Sequence, residues 1–274
     1  SGYPIKVIHL ITASEIKGSD TQKSEQWLML GDSYLSIGLH KQANEAYSKL
    51  PSALKNSESM EMRYFQLYEQ SKDYQAALTL INKNLLKKPH TQYKLLKIHF
   101  QTLNNQPLLA LKNIESLSKK EKELPAIQGL MGRALLKNKQ EIKALPLLQL
   151  TYDQGPSSIN ALTLFRAIYK VKGVSQAVAH LERHLAKFPG DEASRMIYAS
   201  LLENKDEMIE QYKILAKSQV ENFIVLNNLA WALYEQEKYL EAKTYADRAF
   251  KASPNHKSII NTLNKINDAL KANK

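Results

Sequence analysis

The stretch Gln26-Trp27-Leu28-Met29-Leu30-Gly31-Asp32-Ser33-Tyr34 carries Trp27, Leu30, Gly31 and Tyr34 at the i, i+3, i+4 and i+7 places of an α-helix. The four therefore share one helical face. Gly31 costs an isolated helix about 1 kcal/mol relative to alanine. That cost is tolerable where a neighbouring helix crosses, because only a small residue lets two backbones approach. A suitable neighbour follows at once. Ala43 offers no bulk at a crossing, and Tyr47 and Leu50 pack beside it. A helical hairpin closed at 31 and 43 is the unit from which the rest of the chain can be read.

The same hairpin recurs. Small residues stand at Ala43, Ala77, Ala110, Ala144, Ala177 and Ala242, with gaps of 34, 33, 34, 33 and 65, the last close to two periods. Pro89, Pro156, Pro189 and Pro254 each lie 12 residues after one of these alanines. Proline cannot continue a helix but is welcome at the start of the next, so it closes each unit. Two residue types holding one phase are the mark of a repeat array, and a single globular bundle gives no reason for them.

Trp27-x2-Leu30-Gly31-x2-Tyr34, then Ala43 and Tyr47, resembles the tetratricopeptide repeat (TPR) consensus. The resemblance implies an all-α, right-handed superhelical solenoid of about seven repeats, near 24–57, 58–90, 91–124, 125–157, 158–191, 192–222 and 223–256. The sixth is about three residues short, and the loop at Asn204-Lys205-Asp206 reads as compressed. Residues 1–23 read as an N-terminal helix or the remnant of a preceding repeat, which would make the chain part of a longer array. Residues 24–256 are the array, and 257–274 a capping helix and tail of the kind repeat arrays need at their ends.

Composition agrees. Hydrophobic residues make up 43 % of 274, with nine Gly and nine Pro, and Lys and Arg (38) exceed Asp and Glu (27) by 11. Such a charge raises the on-rate for acidic partners without choosing among them. The absence of cysteine excludes disulfides, thiol nucleophiles and cysteine-based metal sites. No apolar run approaches the roughly 20 residues of a membrane span, so membrane association would need an anchor outside this chain.

Chemistry is sparse. His180 and His184 stand four apart, but His-Leu-Glu-Arg-His places Glu182 wrongly for the zinc-protease helix, and no third ligand is apparent. His99 reads as a packing histidine. No phosphate loop, nucleophile elbow or paired carboxylates appear. We expect no catalytic residue, no metal and no cofactor, and hence no enzyme. Nucleic acid is disfavoured, because Tyr34, Tyr47 and Tyr68 sit at packing positions and cannot also stack on bases.

In a stack of such hairpins the first helix of each pair lines the concave side. The places one and five after the Trp27 equivalent give Leu28 and Asp32, Met62 and Gln66, Gly129 and Arg133, Leu162 and Arg166, Met196 and Ser200, and Asn227 and Trp231. The next turn adds Glu69, Lys137, Tyr169, Lys170 and Tyr234. Arg133, Lys137, Arg166 and Lys170 form a basic stretch suited to carboxylates or phosphates. Tyr169 adjoins it, and Asn227, Trp231 and Tyr234 form an aromatic second patch. Leu28 and Asp32 occupy the places where chaperone-type TPR domains carry the Lys and Asn of a carboxylate clamp.

The segment Val225-Leu226-Asn227-Asn228-Leu229-Ala230-Trp231, through Ala249 to Pro254-Asn255, resembles the TPR lipoprotein of bacterial PEP-CTERM/exosortase (exopolysaccharide) systems, with Thr262-Leu263-Asn264-Lys265 departing from its usual Thr-Leu-Gly-Trp. This implies a scaffold of the bacterial cell envelope, in the periplasm, with a cytoplasmic place as the alternative. The expected partner is a protein or peptide in the groove. The alternative is an anionic polymer, an acidic polysaccharide before RNA.

Overall fold

The computed structural model describes residues 3–13, 16–87 and 90–272. Every regular element among them is a helix. The chain forms two compact units, the first running to Asn138 and the second beginning at Lys139.

The first unit opens with α1 (Tyr3–Ala13), which lies on α2 (Asp20–Ser36) and buries none of its side chains fully. α2 pairs with α3 (His40–Ser48), followed by a single turn, α4 (Ser52–Lys55). α5 (Glu58–Gln70) pairs with α6 (Tyr74–Lys87), and α7 (Thr91–Leu103) with α8 (Pro107–Glu115). A second single turn, α9 (Lys119–Lys122), leads into α10 (Pro125–Lys137).

The second unit holds α11 (Glu141–Gln154), then the hairpins α12 (Ser158–Lys172) with α13 (Val174–Lys187), α14 (Glu192–Leu201) with α15 (Lys205–Ser218), and α16 (Phe223–Glu235) with α17 (Tyr239–Ala252). α18 (Lys257–Ala272) packs on α16 and α17 through Ile259, Thr262 and Ile266.

The repeat spacing has a steric basis. Ala43, Ala77, Ala110, Ala144, Ala177 and Ala242 are each the fourth residue of a second helix, and each has no exposed surface. Gly31 has a different neighbour from the one its smallness implies. A Cβ there would overlap the Tyr47 ring, so the glycine makes room for an aromatic side chain on α3, not for a backbone. Pro156, Pro189 and Pro254 stand in the turns that end α11, α13 and α17. Pro89 lies outside the described residues.

Apart from α10, which opens on Pro125, first helices start where a side chain accepts from the free N–H groups of the first turn. Ser19 with Gln22 forms a capping box on α2, and Ser57, Ser157, Asp191 and Asn222 cap α5, α12, α14 and α16. Each turn inside a hairpin, apart from that between α14 and α15, has one residue at positive φ. These are Gly38, Lys72, Asn105, Gly173 and Glu237.

The short sixth repeat is shortened in its helix and not in its loop. α14 has 10 residues against 13 in α5, α7, α10 and α16, whereas Leu202–Asn204 is a three-residue connection like Ser71–Asp73. Lys205 and Asp206 are the first turn of α15, capped by Asn204. The fourth place of that second helix holds Met208 in place of alanine.

Candidate functional site

In the first unit, α2, α5 and α7 enclose a cavity of about 550 Å³. Its apolar lining comes from Leu35, Phe65, Leu96 and Phe100, with the rings of Phe65 and Phe100 5.9 Å apart. Met62, 44 % exposed, stands at its mouth. Asp32, Gln66 and Glu69, expected on the concave side, line it with Met62.

The charged groups here are tied to one another. Asp32 Oδ1 accepts from the Tyr47 hydroxyl at 2.7 Å and from Arg63 Nε at 2.9 Å, and its Oδ2 accepts from Arg63 Nη2 at 3.1 Å. Burial, then the bond to Asp32, pushes the Tyr47 phenol far above its ordinary pKa. The same carboxylate raises the Arg63 pKa. Arg63 thus fixes Asp32 in a two-pronged pair whose plane is set by the guanidinium fork. Glu69 faces His99 Nε2 at 3.3 Å. His99 is partly exposed and lies edge-on to Phe100, so it has a polar partner as well as the packing role expected of it.

Arg133, on α10, is half-buried. Desolvation lowers its pKa, and the charge of Glu69 opposes that shift. Lys137, one turn on, is exposed. Gly129 is buried, so it presents nothing to a groove.

In the second unit, Arg166, Tyr169 and Lys170 are exposed along α12. Tyr169 leans on Phe165 with centroids 6.0 Å apart. On α16, the Trp231 indole N–H donates to Glu235 Oε1 at 2.9 Å, its ring lies 4.7 Å from Lys265 Nζ of α18, and Tyr234 stands 5.3 Å away. Asn227 Oδ1 is buried and has no donor. A buried acceptor without a partner is costly, and a peptide N–H is the kind of group that satisfies it.

The histidine pair is accounted for internally. His180 Nε2 lies 3.1 Å from the Ala161 carbonyl oxygen. His184 bridges the Tyr152 hydroxyl (2.9 Å from Nδ1) and Asp191 Oδ2 (2.8 Å from Nε2). Ser158 and Ser194 both donate to the Asp191 carboxylate, so neither hydroxyl faces the imidazole as a nucleophile would. No group of three or more metal-ligating side chains occurs among the described residues. No helix among them is long and apolar enough to cross a membrane.

Sequence reasoning missed Arg63 and the Phe65–Phe100 floor. Arg63 directly follows the expected groove residue Met62, but nothing in the sequence signals its pairing with a residue 31 places earlier.

No family model matches the sequence, and no curated protein matches it. Solved structures do. A chain of the APC/C hetero-tetramer Cut9–Hcn1 matches 96 % of this chain at 11 % identity with a TM-score of 0.55, and this chain spans 51 % of its length. A tetratricopeptide repeat protein from Parabacteroides merdae matches 89 % of this chain, and 98 % of its own, at 11 % identity with a TM-score of 0.51. YrrB, described as a TPR protein with an unusual peptide-binding site, covers 66 % of this chain at 14 % identity with a TM-score of 0.49, and 96 % of its own length is matched. The chain has the fold of a tetratricopeptide-repeat protein.

Proposed function

We propose that the chain is a non-catalytic scaffold that holds a protein or peptide segment against its first helices. The observation that carries this reading is the cavity between α2, α5 and α7. An aromatic and aliphatic floor, an exposed methionine and a pre-formed Asp32–Arg63 pair give an apolar side chain a seat beside fixed polar groups. That combination suits peptide recognition, where apolar anchors supply affinity and placed polar groups supply register. In the second unit, Asn227 Oδ1 offers an acceptor.

The test is selection of a random displayed peptide library on the chain, followed by affinity measurement of the enriched peptides. Met62→Glu is expected to weaken them at least tenfold, and Lys119→Glu with Lys120→Glu to leave them unchanged. Failure to enrich any peptide, or equal loss from both changes, overturns the reading.

A second reading rests on Arg166 and Lys170 of α12 in the second unit, exposed cations with no ion-pair partner among the described residues. They favour an anionic polymer, whose binding falls steeply with salt. Reversing Arg166 and Lys170 then abolishes capture at low salt while leaving the melting curve in place. The resemblance of Val225–Asn255 to an envelope lipoprotein makes an acidic exopolysaccharide, in the bacterial periplasm, the form this reading takes.

A further inference from the structure

A second cavity of the first unit, about 700 Å³, lies among α5, α6 and the start of α7, within the size range of small-ligand sites, about 300–1,000 Å³. α5 carries the two cavities on different faces. Met62, Gln66 and Glu69 line the first, and Glu58, Glu61, Tyr64 and Tyr68 line the second. Glu61 takes the Tyr93 hydroxyl at 2.5 Å. That bond, with burial behind it, pushes the Tyr93 phenol up to about 12.

The feature that needs an explanation is Asn84. It is 7 % exposed, it lines this cavity, and its Nδ2 has no hydrogen-bond partner. It lies near enough to the Tyr93 hydroxyl to oppose that upward shift weakly, but outside hydrogen-bonding geometry. An amide left in this state costs stability, and a leucine of similar size there would not. Lys83 and Lys87, one before and three after Asn84 on α6, also line the cavity, and neither has an ion-pair partner among the described residues.

The surrounding groups limit what can enter. A buried amide donor and two ammonium groups lining one cavity call for an anionic oxygen. Tyr64 and Tyr68, nearly parallel at 21° with centroids 6.1 Å apart, contribute aromatic faces, which attract electropositive C–H edges. Glu58 and the second oxygen of Glu61 accept from hydroxyl groups. A bare anion satisfies only the first of these demands, and a neutral sugar only the last two.

We propose that this cavity binds a hydroxylated ring bearing one carboxylate or phosphate, a hexuronate or a sugar phosphate, with the anionic group on Asn84, Lys83 and Lys87 and the ring against the tyrosines. The site is independent of the peptide reading of the first cavity.

The test is a ligand-observed NMR titration of the full chain with sodium glucuronate, glucose 6-phosphate, glucose, sodium acetate and inorganic phosphate. Glucuronate or glucose 6-phosphate is expected to bind at least tenfold more tightly than the other three, and whichever is preferred identifies the anionic group. Asn84→Leu is expected to lose at least tenfold in affinity while melting no lower than the parent. Lys83→Gln with Lys87→Gln is expected to lose as much, again with an unchanged melt. Equal binding of acetate and glucuronate, no binding of any probe, or full binding by either variant overturns the proposal. So does a large fall in melting temperature for Asn84→Leu, which would mark the amide as a satisfied structural group.

Discussion

Gly31 and Tyr47 share one space, since the Tyr47 ring lies where any side chain at position 31 would begin. The ring is fully buried, and its hydroxyl is held by Asp32, so it has no free direction in which to retreat. Gly31→Ala gains at most about 1 kcal/mol of helix propensity and meets an overpacking cost of roughly 1–3 kcal/mol or more. We expect a net loss of about 1–2 kcal/mol by urea unfolding. Adding Tyr47→Leu to that variant should cost less than Tyr47→Leu alone, because the two sites are in contact. Strict additivity would refute the shared-space account.

The left-handed turn residues give the opposite sign. Lys72, at φ 61° between α5 and α6, occupies the place that Gly38 fills at φ 77° in the preceding hairpin. A side chain in that conformation costs on the order of 1–2 kcal/mol, partly offset by the greater chain entropy of an unfolded glycine. Lys72→Gly should therefore raise stability by about 0.5–1 kcal/mol in urea, whereas Gly38→Lys should lower it by a similar amount. A loss in Lys72→Gly would mean that the lysine side chain makes a contact worth more than the strain.

These residues also show how far the sequence can be read. The alanines and prolines were legible because their places are steric necessities, which leave a residue type behind. Lys72 and Glu237 were not, since a three-residue turn accepts a strained residue and leaves no signature. The missing residues of the sixth repeat were visible as a deficit but not as the lost turn of α14, because a count does not say which element gives way. Helical phase alone puts Asp32 and Met62 on one side of their helices, and both line the first cavity. The Arg63 pair and the Asn84 amide were not legible, because they depend on which side chains from other helices arrive beside them.

Acid should weaken the second unit in two stages. Burial alone raises the Asp191 pKa, but hydrogen bonds from Ser194, His184 and Ser158 outweigh it, and the net shift is downward. A carboxylate depressed in this way contributes stability above its unfolded pKa of about 3.9, and the contribution is lost as pH falls through the lower folded value. His180 is depressed as well, chiefly by burial. The unfolded chain therefore takes up that proton first, and stability begins to fall below about pH 6.5. Asp191→Asn should cost about 1–3 kcal/mol at pH 7, and the gap from the parent should close below about pH 4. His180→Gln should remove the first stage. A gap that stays constant down to pH 2.5 would dissociate Asp191 from acid unfolding.

The last hairpin and α18 are joined by a contact that a double-mutant cycle can isolate. Lys265 Nζ sits 4.7 Å from the centroid of the Trp231 ring, while the indole N–H is already given to Glu235 on its own helix. Trp231 is only partly buried, so Trp231→Ala should cost less than the roughly 3–5 kcal/mol of a core tryptophan. A cation over an aromatic face is worth about 0.5–1 kcal/mol at an exposed site. Comparing Trp231→Ala, Lys265→Met and the double variant should return a coupling of that size. Each single variant should speed amide exchange in α18 and leave α12 unchanged, because stability in a repeat array is a sum of nearest-neighbour terms. Coupling near zero would mean that Ile259 and Ile266 hold the helix unaided. Faster exchange throughout the second unit would mean that its hairpins unfold as one block.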